Sequence, residues 1–389
     1  MPLISDPGSG TFRLEGLFPN FHDETWVSYT LKSVLEGMRS DEIAIGATVL
    51  AKAPSVSASY VHPLCPIPRL SSVVYRFRDP VKSVFRAAGR RLNAGDVAYS
   101  WLTGPAELCR ELSREGIMVA REMINCSMLR SRTELRKAYA ALGEPDGSGI
   151  TDEMIELERQ DLFAADVIFC PNQFVKESVV DYGIPAEKCI ETSYGWGADR
   201  LNTTGRVVPE DGVFTVAFVG TLDVRKGAPL LLKAWATAKI PGRLLLAGRM
   251  RLEEKRYQAV LSRPDVVRLG YVSDIGSVYR SADVLCFPSW EEGGPQVTFE
   301  AMSMGVVPVV TPMGTGGAFR QSDDVGIVVP PGDVEALSSA LCALASDKER
   351  LSYLKNRARD RAAEYTWQRV GQRRREQLLL HRERWLRSR

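Results

Sequence analysis

The feature that most narrows the fold is a rhythm in the second half of the chain. Short aliphatic and β-branched runs, apolar almost throughout, alternate with helix-length amphipathic stretches. The runs are Thr215–Val219, Arg243–Ala247, Val266–Leu269, Val284–Pro288, Val306–Val310 and Gly326–Val329, and the spacing predicts helices near 228–238, 251–262, 275–281, 296–304, 316–321 and 333–345. A strand that is apolar on both faces must be covered on both, so the pattern predicts a parallel sheet between two layers of helices. The first half repeats the rhythm less cleanly. Its strand candidates are Phe12–Leu17, Glu42–Leu50, Asp96–Trp101, Ile117–Ala120, Val167–Cys170 and Cys189–Ser193, with helices over 26–38, 105–115, 152–163 and 173–182. Residues 51–95 read as irregular, proline-rich up to Arg69 and then basic. Gly205, Pro209 and Gly212 among polar neighbours make 199–212 read as a hinge. The expected organisation is two doubly wound α/β lobes, 1–200 and 201–365, followed by a basic helix, 366–389, packing back towards the first lobe.

Length and composition agree with two cores. At about 150 residues per domain, 389 residues make two or three domains. A chain that is 44% hydrophobic and 25% charged is neither disordered nor fibrous, and 50 basic against 48 acidic residues exclude a globally basic nucleic-acid binder. No run of eighteen apolar residues occurs, and the opening MPLISDPGSG lacks the basic-then-apolar layout of a secretory signal, so a soluble cytoplasmic protein is expected. The seven cysteines are widely spaced without a CxxC pair, and the three histidines (22, 62, 381) stand at no ligand spacing. Buried thiols in a reducing compartment, and no structural metal, are the expectation.

Ligands of open α/β sheets bind beyond the carboxyl ends of the strands, so the loops there hold the candidate site. After the strand at 215–219 come Gly220-Thr221-Leu222-Asp223-Val224-Arg225-Lys226-Gly227, where two adjacent cations precede a helix and suit a phosphate-bearing ligand. After 284–288 come Glu292, Gly293, Gly294 and Pro295, and Gln296 opens a helix. The free N–H groups of that first turn, near Gln296 and Val297, make an anion site at the positive end of the helix dipole. One turn in sits Glu300, among Val297, Phe299, Ala301 and Met304. A carboxylate is costly to bury in such company unless it points at a partner, either hydroxyls of a ligand or a buried cation. Carboxylates beside an anion site suit a ligand that carries both phosphates and vicinal hydroxyls, as a nucleotide sugar does.

These residues carry a resemblance. FVGTLDVRKGAPLLLKAW (218–235), ADVLCFPSWEEGGPQVTFEAMSMGVVPVV (282–310), GIVVPPGDVEALSSAL (326–341) and AADVIFCPNQFVKESVVDYGIPAEKCIETSYG (164–195) resemble, in that order, retaining glycosyltransferases of family 4, the group 1 glycosyl transferases. The resemblance implies a GT-B architecture, two Rossmann-like domains facing across a cleft. It implies Glu300 on the ribose hydroxyls and Glu292 on a donor-sugar hydroxyl. Arg225 and Lys226 would lie on the diphosphate, amides near Gln296 and Val297 would cap it, and Gly270-Tyr271-Val272 would lie against the base. Glu292, Arg225 and Lys226 are the candidate catalytic residues, and no cofactor or metal is implied. Thr221 stands where the family often has arginine, and Arg225 is the candidate substitute. The family's histidine-bearing stretch in the first lobe is not recognisable, since 96–101 reads Asp-Val-Ala-Tyr-Ser-Trp. The acceptor, a glycan, a lipid-linked sugar or a small glycoside, is assigned to the first lobe with Asn20, His22 and Trp101 as candidate contacts. Closure about 199–212 would exclude water. A nucleotide-sugar epimerase on the same scaffold, or a non-catalytic nucleotide-sugar-binding relative, are the alternatives.

Two basic segments bear on location. Arg76–Arg91 holds six basic residues and one acid, interleaved with Phe77, Val81, Val84 and Phe85, and Thr366–Arg389 holds eight arginines against two glutamates beside an apolar stripe. Each reads either as a helix packing its apolar side and solvating its charges, or as a peripheral contact with an anionic membrane at its inner face.

Overall fold

The computed structural model describes residues 11–67, 79–201 and 204–389. Among the described residues, thirteen strands form two all-parallel sheets. The first contains β1 (Phe12–His22), β2 (Ile43–Lys52), β3 (Val61–Pro63), β4 (Val97–Ser100), β5 (Met118–Glu122), β6 (Val167–Cys170) and β7 (Cys189–Glu191). The helices of this half are α1 (Trp26–Met38), α2 (Pro80–Gly89), α3 (Ala106–Arg114), α4 (Met128–Ala141), α5 (Asp152–Ala164) and α6 (Gln173–Val180). The second sheet contains β8 (Thr215–Val219), β9 (Arg243–Ala247), β10 (Val266–Gly270), β11 (Val284–Phe287), β12 (Val307–Val310) and β13 (Ile327–Val328). With it run α7 (Ala228–Thr237), α8 (Glu254–Leu261), α9 (Ile275–Arg280), α10 (Gln296–Ser303), α11 (Val334–Ser346) and α12 (Lys348–Ala362), and α13 (Trp367–Arg387) closes the chain.

The strand orders are β3-β2-β1-β4-β5-β6-β7 and β10-β9-β8-β11-β12-β13. Both start in the middle, run to one edge and then return to the other side, which is the doubly wound order. Each sheet therefore has a point where the order reverses: between β1 and β4 in one, between β8 and β11 in the other. The central strands are buried at nearly every position, as the apolar runs required; Leu14, Leu17, Val97, Ala98, Val216, Phe218 and Leu285 have no exposed surface.

Packing divides the chain into two units. One comprises the described residues through Met128, Ile150–Thr192 and Trp367–Arg389; the other comprises Leu129–Gly149 and Ser193–Thr366. The chain thus passes between units four times, where the sequence predicted one hinge over 199–212 and domains ending at 200 and 365. The described part of the polar segment is tied into the second unit at two points. Val207 N donates to Ser281 Oγ at 2.9 Å, and Arg280 Nε donates to the Gly205 carbonyl at 3.1 Å. The excursion at 129–149 was not foreseen either. Arg256 on α8 holds it, donating to the Leu142 carbonyl at 2.7 Å and pairing with Glu144.

Four smaller corrections have local causes. The helix expected at 316–321 does not form, because Gly316 and Gly317 adopt φ of 59° and 80°, left-handed conformations that a right-handed helix cannot contain. The strand expected to stop at Leu17 runs on to His22, with a register shift between Phe18 and Phe21. In the basic segment, residues 76–78 lie outside the described residues. From Pro80 it forms α2, whose Val84 and Phe85 are buried in a cluster with Leu17, Cys109 and Leu112. Those two apolar residues of α2 face the core of their own unit and are not presented to a membrane. No described helix is long and apolar enough to cross one. Finally, α13 does not solvate all its arginines, since Arg374 is 1% exposed.

Candidate functional site

The β8–β11 reversal gathers the charged residues that the sequence singled out. The loop after β8 turns through Asp223, whose carboxylate accepts from the Lys226 amide at 2.8 Å, and ends at Gly227, the N-cap of α7. Gly227 has φ of 72°, and a Cβ placed there would lie 1.9 Å from the Pro288 carbonyl oxygen. That close approach brings the β8 loop onto the β11 loop, and Trp290 N donating to the Arg225 carbonyl at 2.8 Å fastens the two. Gly227→Ala should cost about 2–3 kcal/mol, from left-handed backbone and overpacking together. Urea unfolding measures it; a loss under 0.5 kcal/mol would mean that the approach relaxes freely.

Where the loops meet, four charges form a compact set. Arg225 Nη1 lies 3.1 Å from Glu291 Oε2 and 3.6 Å from Glu292 Oε1, and Lys226 Nζ pairs with Glu292 Oε1. Lys226 Nζ also sits 5.1 Å from the centre of the Phe287 ring. Both carboxylates are buried, while the cations keep part of their surface: 31% of the Arg225 side chain and 18% of Lys226. Burial alone would push the Glu292 carboxyl up, but Lys226 and then Arg225 pull it below the ordinary glutamate value. Glu292, with burial opposing, then Glu291, raises the Arg225 guanidinium further still. The resting cations are therefore already neutralised, and an arriving diphosphate must share or take them.

Glu300 lies one turn inside α10, 3% exposed. The chain itself supplies its partners. Arg200 Nη1 stands 2.8 Å from Oε1, and the Tyr279 hydroxyl donates to Oε2 at 2.9 Å. The sequence pointed to ligand hydroxyls or a buried cation as the partner; the cation found here, Arg200, is not buried, its side chain being 39% exposed. A carboxylate offers about four acceptor positions, so these two contacts leave it capacity. Burial raises its pKa, against the pull of Arg200 and Tyr279. Arg200, Tyr279 and Glu291 were not singled out from the sequence. Only Glu291 left a signal there, as the doublet with Glu292.

The remaining candidates fall in distinct places. Gly293 and Gly294 join Glu292 to Pro295, the N-cap of α10, whose first residues Gln296 and Val297 are half-buried. Gly220 adopts φ of 136°, and Thr221 is half-buried with its carbonyl accepting from the Asp223 amide at 3.0 Å. Tyr271 is 63% exposed beside the half-buried Val272, with Arg249 over its ring at 5.8 Å, along a cavity of about 610 Å³ at the ends of β9 and β10. In the first unit Asn20 is exposed, its amide oxygen accepting from the Phe21 amide at 2.8 Å. His22 is not on a surface loop. It ends β1, is 1% exposed, and neither ring nitrogen has a hydrogen-bond partner among the described residues. Burial lowers its pKa against the pull of Glu24 and Asp23, which favours the neutral ring. The Trp101 indole N–H, at the end of β4, is likewise buried and unpartnered. Neither His22 nor Trp101 therefore offers its ring nitrogens to an acceptor in this conformation. No group of three or more potential metal ligands occurs among the described residues.

Comparison with known proteins bears on the second unit and on the fold. Residues 213–347 match the family model for glycosyl transferases group 1. The phosphatidyl-myo-inositol mannosyltransferase of Mycobacterium leprae is 34% identical over 171 residues, 40% of this chain and 44% of that protein. The capsular polysaccharide biosynthesis glycosyltransferase CapM of Staphylococcus aureus is 25% identical over 213 residues, 49% of this chain and 55% of that one. The chain thus spans about half the length of the curated relatives it matches. Among solved structures, sucrose-phosphate synthase from Thermosynechococcus elongatus aligns over 97% of this chain and 100% of its own, with TM-score 0.72 at 17% identity. HepE of Anabaena, in complex with UDP and glucose, aligns over 94% of this chain and 99% of its own, with TM-score 0.64 at 16% identity. At such identities the likeness is one of fold. Over residues 213–347, then, the second unit is similar to the glycosyl transferases of group 1, and by its two parallel sheets the chain has the GT-B architecture.

Proposed function

We propose that the protein is a retaining glycosyltransferase whose second unit holds a nucleoside diphosphate sugar. The observation that carries this reading is the convergence, at one strand-order reversal, of Arg225 and Lys226 with Glu292 and the amino end of α10, with Glu300 one turn along. Phosphate oxygens call for the cations and the positive end of α10. Sugar hydroxyls call for the carboxylates: Glu300 for the ribose, Glu292 for the transferred sugar. The exposed Tyr271 ring, beside Val272, offers a face for the base. UDP and UDP-glucose, seen with HepE, are the first ligands to try.

In this reading the acceptor hydroxyl oxygen bonds to the anomeric carbon as the phosphate oxygen departs from the same face. The hydroxyl proton passes to that phosphate oxygen, so configuration is retained and no protein nucleophile is needed. Charge grows on the departing diphosphate, and Arg225, Lys226 and the amino end of α10 are the groups that would meet it. These groups do what a metal ion would otherwise do, so the reading includes no resident metal. Acceptor hydroxyls belong to the first unit, and a carbohydrate, a lipid-linked sugar or a small glycoside fits that assignment.

The test has two stages. Thermal unfolding with UDP, GDP and ADP and their sugars identifies the base, because a ligand of the native state raises the transition temperature. Incubation of the stabilising donor with candidate acceptors should then release nucleoside diphosphate in proportion to acceptor. Stabilisation by no nucleotide would overturn the donor site, and donor turnover indifferent to every acceptor would overturn transfer.

A further inference from the structure

We propose that Arg200 is a positioning residue of the donor site, holding the Glu300 carboxylate ready for a ligand's vicinal hydroxyls. The inference rests on the reading of Glu300 given above and adds a residue to it. Arg200 ends the short 3-10 turn Ala198–Arg200. Its Nη1 lies 2.8 Å from Glu300 Oε1 and donates to the Gln296 side-chain oxygen at 3.3 Å. Residues 296 and 300 are one turn apart on the same helix face. The guanidinium therefore spans the first turn of α10, on the face where Glu300 stands.

That placement answers a difficulty. The Glu300 side chain is 4% exposed, and desolvation favours its protonated form. A protonated carboxyl donates from one oxygen, so it cannot accept from two hydroxyls as a carboxylate does. The titratable groups that face it are Arg200 and Asp199 from the 3-10 turn and Tyr279 from α9. Asp199 opposes ionisation, while the Tyr279 hydroxyl supports it with a neutral hydrogen bond. Arg200 is the positive charge that acts on it. Arg200 also restrains the rotamer, since Oε1 is fixed by the guanidinium and Oε2 by the tyrosine.

The experiment is calorimetric titration of the nucleoside diphosphate selected by thermal shift, from pH 5 to 9, into the full-length protein and its R200M, R200K, E300Q and R200M/E300Q variants. R200M should bind about tenfold more weakly at neutral pH, the usual worth of a hydrogen bond to a charged group. Its affinity should fall off at higher pH than wild type, because Glu300 without its cation protonates sooner. R200K should keep part of both. E300Q should bind weakly without that pH dependence, and adding R200M to it should change little. If R200M does not fold, R200K must show the intermediate affinity and the displaced profile, or the proposal falls. R200M with unchanged affinity and pH profile overturns it. So does tighter binding, which would make Arg200 a competitor of the ligand. If E300Q binds every nucleoside diphosphate as wild type does, the reading of Glu300 itself fails. If E300Q is weakened and R200M is not, only the role of Arg200 fails.

Discussion

Lys226→Met is expected to lower turnover by about two to three orders of magnitude, the measured range for removing one preorganised donor to developing charge. Donor affinity should fall much less. Lys226 is already paired with Glu292 in the resting site, and a ground-state phosphate gains only the difference between that partner and itself. In the proposed reaction, negative charge accumulates on the departing oxygen as the bond to the sugar breaks, and the ammonium can shift towards it. Glu292 does not lose all support in the process, because Arg225 stands 3.6 Å away on the same oxygen. In that proposal the quartet would work as a reservoir of positive charge, balanced by carboxylates until a better anion arrives. Steady-state kinetics with saturating donor separates the effects. A rise in KM with unchanged kcat would mean that Lys226 serves binding alone.

The same substitution carries a second, independent signature. It leaves a buried carboxylate with one distant counter-ion, so the variant should lose stability at neutral pH. The native pKa of Glu292 lies below its ordinary value of 4.5. The stability from the pair is therefore present above that value and disappears as pH falls through the lower, folded one. The deficit of the variant should shrink over that interval. A deficit constant from pH 7 to 3 would assign it to lost side-chain packing.

The alternation of apolar runs and amphipathic stretches located every strand of the second sheet, because a parallel sheet covered on both sides demands continuous apolar sequence. Charged helices escaped. In α12 only Leu351, Leu354, Ala358 and Ala362 are buried, and the rest of that face is interrupted by arginine and lysine. In α4 the buried set is Ser131, Leu135 and Ala138, among which a serine carries no apolar signal. β3, which also escaped, is three residues long, near the limit at which sequence pattern means anything. At the site, Glu292, Glu300, Arg225 and Lys226 were legible because they lie on loops whose place in the topology follows from the strands beside them. Their partners were not. Arg200 reaches Glu300 across a hundred residues and Tyr279 across twenty-one, and no periodicity encodes such a meeting. His22 misled for a related reason: Pro19 and Asn20 mimic a loop, while β1 passes through them.

Arg374→Met is expected to cost the first unit about 3–5 kcal/mol, the range for breaking a buried pair from one side. Arg374 on α13 meets Glu122, the last residue of β5, through two bonds: Nη1 to Oε2 at 2.9 Å and Nη2 to Oε1 at 3.1 Å. Nη1 also donates to the Tyr99 hydroxyl at 3.1 Å, and that hydroxyl donates to Glu122. All three side chains are at most 1% exposed. Removing the guanidinium strands a carboxylate beside a tyrosine that burial, and then Glu122, already hold strongly protonated. Apolar residues of similar volume would pack more cheaply, so the triad's use is geometric. It accompanies the register of α13 that seats Gly371 against Gly37 of α1 and Trp367 against Tyr29. Adding Glu122→Gln should restore part of the loss, since the amide oxygen still accepts from Tyr99 and no charge is left unpaired. Amide hydrogen exchange in β4 and β5 reports on this unit separately from the other. Protection in R374M equal to wild type would show that α13 is held by its apolar contacts, with the triad contributing nothing net. Protection lost in R374M and no better in the double variant would point to a role for the guanidinium beyond neutralising Glu122, with the Phe169 ring 5.6 Å beneath it as the next contact to remove.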